Sequence, residues 1–174
     1  TGLYAHQAGI GRMSEDPSSR PEKEESCPDG YKGFLNRSCV TIAEVLKSEG
    51  YGTYMAGKWH VGMHGQEKWP LQRGFDRFYG ILAGACNYLR PQGGRGLTLD
   101  NTKLDPPSQP YYTTDAFTDY ALDFISNREK DNPFFLYLAF NAPHWPLQAK
   151  QEDIDRFLHK YDAGWQSIRA ARLE

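Results

Sequence analysis

Two short stretches of this chain carry side chains able to do chemistry on an oxyanion. Residues 50–60 read GYGTYMAGKWH and set Lys58 and His60 two residues apart. Residues 141–146 read NAPHWP and set His144 between two prolines. A lysine ammonium is a compact, permanent charge suited to a tetrahedral oxyanion such as phosphate or sulfate. A histidine takes or gives a proton near neutral pH. Two histidines on separate segments can divide that work, one serving a nucleophile and the other a leaving group. Taken singly, each residue also has a plainer reading, a solvent-exposed lysine or a histidine packed against tryptophan and proline.

Other chemistries find less support. His60 and His64 are four apart, a spacing that ligates metal on a helix, but Gly62 falls between them and no glutamate precedes the second. No serine occupies a G-x-S-x-G elbow, and no Ser-His-Asp set can be assembled. Cys27, Cys39 and Cys86 are an odd number without CxxC spacing, which argues against a zinc site. They leave open one disulfide with a free thiol, or three free thiols. Asn36-Arg37-Ser38 fits the N-glycosylation acceptor pattern.

The elements that position Lys58, His60 and His144 can be read from pattern. Thr41 and Glu44 form a T-x-x-E capping box, with Val40 and Val45 spaced for a hydrophobic staple. Ile42, Val45, Leu46 and Lys47 carry the helix onward to Gly50, placed as a C-terminal glycine. Residues 51–56 then read as a strand running straight into Gly57, which lets the backbone approach a neighbour closely. The same order recurs later. Phe117, Tyr120, Ala121, Phe124 and Ile125 recur at helical spacing and predict an amphipathic helix over 114–128. After a turn at 127–133, PFFLYLAF is apolar on both faces and predicts a central strand of a covered sheet. It ends at His144, which Pro143 and Pro146 would hold stiffly.

Two helix-then-strand units imply an α/β architecture with a largely parallel sheet. In such sheets ligands bind beyond the carboxyl ends of the strands. Lys58, His60 and His144 lie just past two strand ends, so they are expected to face one crevice. Residues 11–33 and 84–113 read as surface loops near the entrance, the first with an acidic cluster at Glu22, Glu24 and Glu25. Gly93-Gly94-Arg95-Gly96 follows no predicted strand and opens no helix, so it is no nucleotide loop. Arg90 and Arg95 are solvated or greet an acidic polysaccharide. Residues 151–174 read as two helical pieces broken near 162–164, with Arg169 and Arg172 solvated.

The chain has 174 residues, within the range of one domain, and is 39% apolar and 14% aromatic, a globular composition. A formal net charge of −2 provides no basic field for nucleic acid. The longest apolar run, at 134–140, is too short to span a bilayer, so no membrane partner is expected.

Residues 50–60 resemble the second signature of the sulfatase family at every specified position. TGLYAHQ at 1–7 is similar to the tail of that family's first signature, C/S-x-P-x-R followed by an apolar run and TG. APHWP at 142–146 resembles its third landmark, and RGFDRFYG at 73–80 and YDAGWQSIRAARLE at 161–174 look like bacterial arylsulfatases. The likeness runs the full length. It implies an alkaline-phosphatase-like α/β fold, a mixed and largely parallel sheet covered by helices, with residues 1–174 forming part of a single catalytic domain.

The activity implied is hydrolysis of a sulfate ester, of an aryl alcohol or a carbohydrate, by a formylglycine nucleophile supported by calcium on oxygen ligands. By motif position, Lys58 would bind a sulfate oxygen. His60 would contact the formylglycine and assist elimination, and His144 would bind sulfate and protonate the leaving oxygen. The resemblance puts the modified Cys or Ser, its arginine, the calcium ligands and a second lysine outside residues 1–174. Accordingly none of the three cysteines sits in C-x-P-x-R. These residues alone are therefore expected to hydrolyse nothing, and their parent protein to be periplasmic or secreted. Two alternatives stand beside this reading. One is a phosphodiesterase or phosphonate hydrolase of the same superfamily, and the other a non-catalytic protein that binds sulfated glycans.

Overall fold

The computed structural model describes residues 1–15 and 21–174; the part of the expected 11–33 loop at positions 16–20 lies outside the described residues. Helix α1 (Ile42–Ser48) begins on the capping box that the sequence predicts. The Glu44 amide donates to Thr41 Oγ1 at 3.1 Å, and Glu44 Oε2 accepts from the Thr41 amide at 2.7 Å. The helix stops where Gly50 takes φ +82°. Val40 and Val45 form no buried staple, being 57% and 51% exposed. Ala43 is the residue turned inward, because buried Arg73 fixes the start of the helix. The Arg73 Nε donates to Glu44 Oε1 at 3.0 Å, and Thr41 Oγ1 donates to the Arg73 carbonyl at 2.8 Å.

From α1 the chain enters β1 (Gly52–Lys58), then β2 (Arg77–Ile81), the short strands β3 (Leu97–Leu99) and β4 (Thr102–Lys103), helix α2 (Thr113–Ser126) and β5 (Phe134–Ala139). Helices α3 (Gln151–Phe157) and α4 (Trp165–Leu173) follow, and Gly164 makes the expected break between them at φ +80°. The strands form one mixed sheet in the order β4-β3-β2-β1-β5. β1 runs parallel to both β2 and β5, whereas β3 and β4 are antiparallel additions beside β2. Both faces are covered. Met55, Trp59, Phe75, Phe78 and Ala43 pack on one side, and Ala56, Tyr79, Ile81, Phe117, Ala121 and Phe124 on the other.

Two expectations change. β5 is at the edge of this sheet rather than its centre, and Phe134 and Tyr137 are 38% and 46% exposed. A run apolar on both faces indicates coverage above and below, not a strand on each side. The central strand is β1, with Thr53, Met55 and Ala56 fully buried. Residues 84–113, expected as a surface loop, contribute β3 and β4 and bury Cys86, Tyr88, Leu97 and Thr98. Strands of three and two residues are too short to show a period in sequence.

Candidate active site

The carboxyl ends of β2, β1 and β5 lie side by side, with Lys58 opposite Ile81 and Gly57 opposite Ala139 in the ladders. Gly57 adopts φ +121°, and a Cβ there would collide with the Ala139 carbonyl, so this close approach of strands requires glycine. Trp59, between the two polar residues, points into the core and donates its indole N–H to the Lys68 carbonyl at 3.1 Å. His60 follows in the left-handed region at φ +59°, uncommon for a residue with a Cβ. Its amide donates to the Leu82 carbonyl at 3.2 Å, which ties the turn after β1 to the segment after β2.

Beyond these strand ends lies a cavity of about 910 Å³ whose lining includes Arg12, Glu15, His60, Gly84, Arg95 and His144. The two histidines predicted on separate strand ends thus share one cavity. Lys58 ends β1 beside them, partly buried, but is not among the residues lining the cavity. Among the described residues its side chain makes no hydrogen bond or ion pair.

His144 is positioned from below by buried Tyr88, whose hydroxyl meets the His144 carbonyl at 2.5 Å and the Asn141 carbonyl at 3.1 Å. Its Nδ1 lies 2.6 Å from the Trp145 carbonyl. A carbonyl only accepts, so Nδ1 carries the proton and Nε2 is the nitrogen left for other partners. The ring is exposed to solvent.

His60 has a carboxylate partner that sequence reading did not single out. Its Nε2 lies 2.6 Å from Glu15 Oε2, and the side chains are 22% and 25% exposed. The other Glu15 oxygen accepts from the Gly84 amide. Burial alone would raise the Glu15 carboxyl. The His60 hydrogen bond, the Gly84 amide and the His60 charge outweigh it and bring the carboxyl down to about 2. The acidic residues noticed in sequence lie elsewhere in the same loop, and Glu24 pairs with Lys68 at 2.7 Å. Nothing local marks Glu15, because its partner is 45 residues away along the chain. The His60–His64 pair considered for metal has its first member's Nε2 engaged by Glu15.

All three cysteines are free and buried. Cys86 accepts from the Asn141 side-chain amide at 3.5 Å, and burial pushes its thiol up to about 11. It is a packing residue beneath the His144 segment. Among the described residues, no helix is long and apolar enough to cross a membrane.

The family model for sulfatases matches residues 1–174. An uncharacterized sulfatase of Schizosaccharomyces pombe is 33% identical over 186 residues, covering 100% of this chain and 33% of its own length. An arylsulfatase of Klebsiella aerogenes is 32% identical over 185 residues, covering 100% of this chain and 38% of its own. The chain spans about a third of the length of these curated relatives. The crystal structure of Ps i-CgsB in complex with k-i-k-neocarrahexaose superposes with a TM-score of 0.63 at 34% identity, over 71% of this chain and 31% of that one. A family match along the whole chain, and alignment of all of it to about a third of two such relatives, agree with a mixed sheet whose histidines gather past its parallel strands. The chain belongs to the sulfatase family, and its sheet is part of that family's alkaline-phosphatase-like α/β fold.

Proposed function

We propose that residues 1–174 form part of a single catalytic domain of a sulfuric ester hydrolase of arylsulfatase type. The observation that carries this reading is the convergence of His60 and His144, from two different strand ends, on one cavity. The substrate class is a sulfate ester of an aryl alcohol or a carbohydrate. The structural relative solved with k-i-k-neocarrahexaose supports the carbohydrate branch.

Within that reading Lys58 supplies positive charge to a sulfate oxygen from the end of β1, where among the described residues no carboxylate pairs with its ammonium. His144 works through Nε2, since the Trp145 carbonyl holds the proton on Nδ1 in both charge states. As an imidazolium it has one proton free to give, at Nε2. That proton neutralises the leaving oxygen as the sulfur–oxygen bond breaks. His60 faces the same space and serves the nucleophile side.

The family implies calcium and a formylglycine in the whole enzyme. Among the described residues no three His, Cys, Asp or Glu side chains gather to hold a metal. The carboxylate in the cavity, Glu15, is committed to His60 and Gly84. The described residues do not fit a calcium site, and a formylglycine has no precursor motif around Cys27, Cys39 or Cys86.

The test is hydrolysis of a chromogenic aryl sulfate and of a sulfated oligosaccharide by the full-length protein. Lys58→Ala and His144→Ala are each expected to lower kcat/KM by at least about 100-fold, the scale of a lost charge clamp or general acid. Absence of sulfate release by the wild type, or full activity in both variants, would overturn the reading.

A further inference from the structure

We propose that Glu15 is a positioning residue for His60, holding the imidazole with its proton on Nε2 so that Nδ1 is the nitrogen presented for chemistry. This rests on the reading of the cavity as a sulfate-ester site and extends it to a residue on a different loop.

Three independent features of the structure make the arrangement. First, the carboxylate is bidentate in function: Oε2 meets His60 Nε2 at 2.6 Å while Oε1 accepts from the Gly84 amide, so the group cannot swing without losing both bonds. A carboxylate that stays ionised is an acceptor only, and so the proton of this hydrogen bond sits on Nε2. Second, the site is cut to fit the pair. A Cβ on Gly84 would lie 2.5 Å from His60 Cε1 and 2.8 Å from Glu15 Oε1, so glycine leaves the pair undisturbed and a side chain there would push it aside. Third, the His60 backbone is held in the left-handed region at φ +59°, uncommon for a residue with a Cβ, at the point where its ring meets Glu15.

The chemical consequence concerns which histidine does what. His144 has its proton pinned on Nδ1 by a neutral carbonyl, and it works through Nε2. His60 has its proton pinned on Nε2 by an anion, and it works through Nδ1. Two rings in one cavity thereby present opposite nitrogens, as a division between proton acceptor and proton donor requires. The other charged groups lining the cavity with His60 are Arg12, Arg95 and His144, with Lys58 two residues before it. Among the described residues lining the cavity, Glu15 is the carboxylate.

Two measurements on the full-length protein test this. Ring-nitrogen NMR of ¹⁵N-histidine protein, with His60 assigned by a His60→Gln variant, reads the tautomer directly. The expected result is an Nε2–H tautomer in the wild type and an Nδ1–H tautomer in Glu15→Gln, whose amide oxygen keeps the Gly84 amide and turns its NH2 toward Nε2. An Nδ1–H tautomer in the wild type, or a tautomer unmoved by the substitution, would overturn the proposal. Kinetics provide the second readout. Glu15→Gln should lower kcat on an aryl sulfate by about tenfold or more and change KM by less than about threefold. An unchanged kcat in Glu15→Gln would overturn the positioning role while leaving sulfatase activity standing. If the wild type releases no sulfate, the hydrolase reading falls and the NMR experiment still decides whether Glu15 governs His60. Should Glu15→Gln fold poorly, Glu15→Ala carries the same comparison: a mixture of tautomers supports the role, and an unmoved Nε2–H tautomer overturns it.

Discussion

Replacing Gly84 with alanine puts one methyl group against the His60 ring and the Glu15 carboxylate together, both of them side-chain ends that must shift to admit it. Because no backbone has to move, the cost falls toward the low end of the about 1–3 kcal/mol typical of overpacking, and the shift spreads the carboxylate–imidazole pair. Gly84→Ala in the full-length protein is therefore expected to lower both thermal stability and kcat; a variant with unchanged melting and kinetics would show the pair not to be confined. Cys86 is the opposite case, a residue whose chemistry the fold suppresses. Its thiol is buried and raised to about 11, so the native protein should leave it unlabelled by a thiol reagent at neutral pH until denaturant is added. Rapid native labelling at Cys86, read by peptide mass, would contradict its burial. Sequence showed the types of these residues but not their state. A glycine 24 positions after His60 and a glutamate 45 before it carry no local mark of a shared site.

At the scale of elements, the segment just before β2 is a latch. Arg73, 1% exposed, donates to Glu44, to the Leu35 carbonyl at 2.7 Å and to the Cys39 carbonyl at 2.9 Å. Asp76 then accepts from the Thr53 amide at 2.8 Å and from Lys47 at 2.7 Å, joining β1 to α1. Removing Arg73 leaves one Glu44 oxygen and two buried carbonyls without their donor, while the other Glu44 oxygen keeps the Thr41 amide. Each buried acceptor so stranded costs about 1–3 kcal/mol, so Arg73→Ala should lower the denaturant midpoint far more than Thr41→Ala, which removes a cap worth about 1 kcal/mol. Equal losses from the two would mean that the guanidinium is not the anchor. The capping box was legible because it is written within four residues. The latch was not, since it joins points 23 to 38 residues apart.

For the whole molecule, acid stability follows from the carboxylates. Glu15, Glu44 and Asp76 are all lower when folded than when unfolded, despite burial that raises each. His60 does this for Glu15, the Thr41 amide and Arg73 for Glu44, and Lys47 and Thr53 for Asp76. A group of this kind binds fewer protons in the folded state, so its stabilisation is complete above its unfolded value and fades as pH falls through its folded one. For Glu15 that window runs from its ordinary 4.5 down to about 2. Stability measured by denaturant should be flat near neutrality and fall steeply below about pH 4.5, and Glu15→Gln should flatten part of that fall. An acid slope identical in the variant would show that Glu15 is not held by the fold.

By itself the sequence determined what is encoded within a few neighbouring residues: the cap of α1, the helix α2, strands β1 and β5, and Lys58, His60 and His144 as candidates just past strand ends. It also carried the family resemblance, which is a matter of residue identity at set spacings. The tertiary structure alone decided that β1 is central and β5 an edge, that part of 84–113 joins the sheet, that Val40 and Val45 stay exposed, and that Glu15 meets His60. The division has a physical cause. Periodicity and capping are satisfied by hydrogen bonds and side chains within one or two turns of chain. Strand order and a hydrogen bond across 45 residues depend on which surfaces exclude water from one another, and that is settled only when the whole chain has packed.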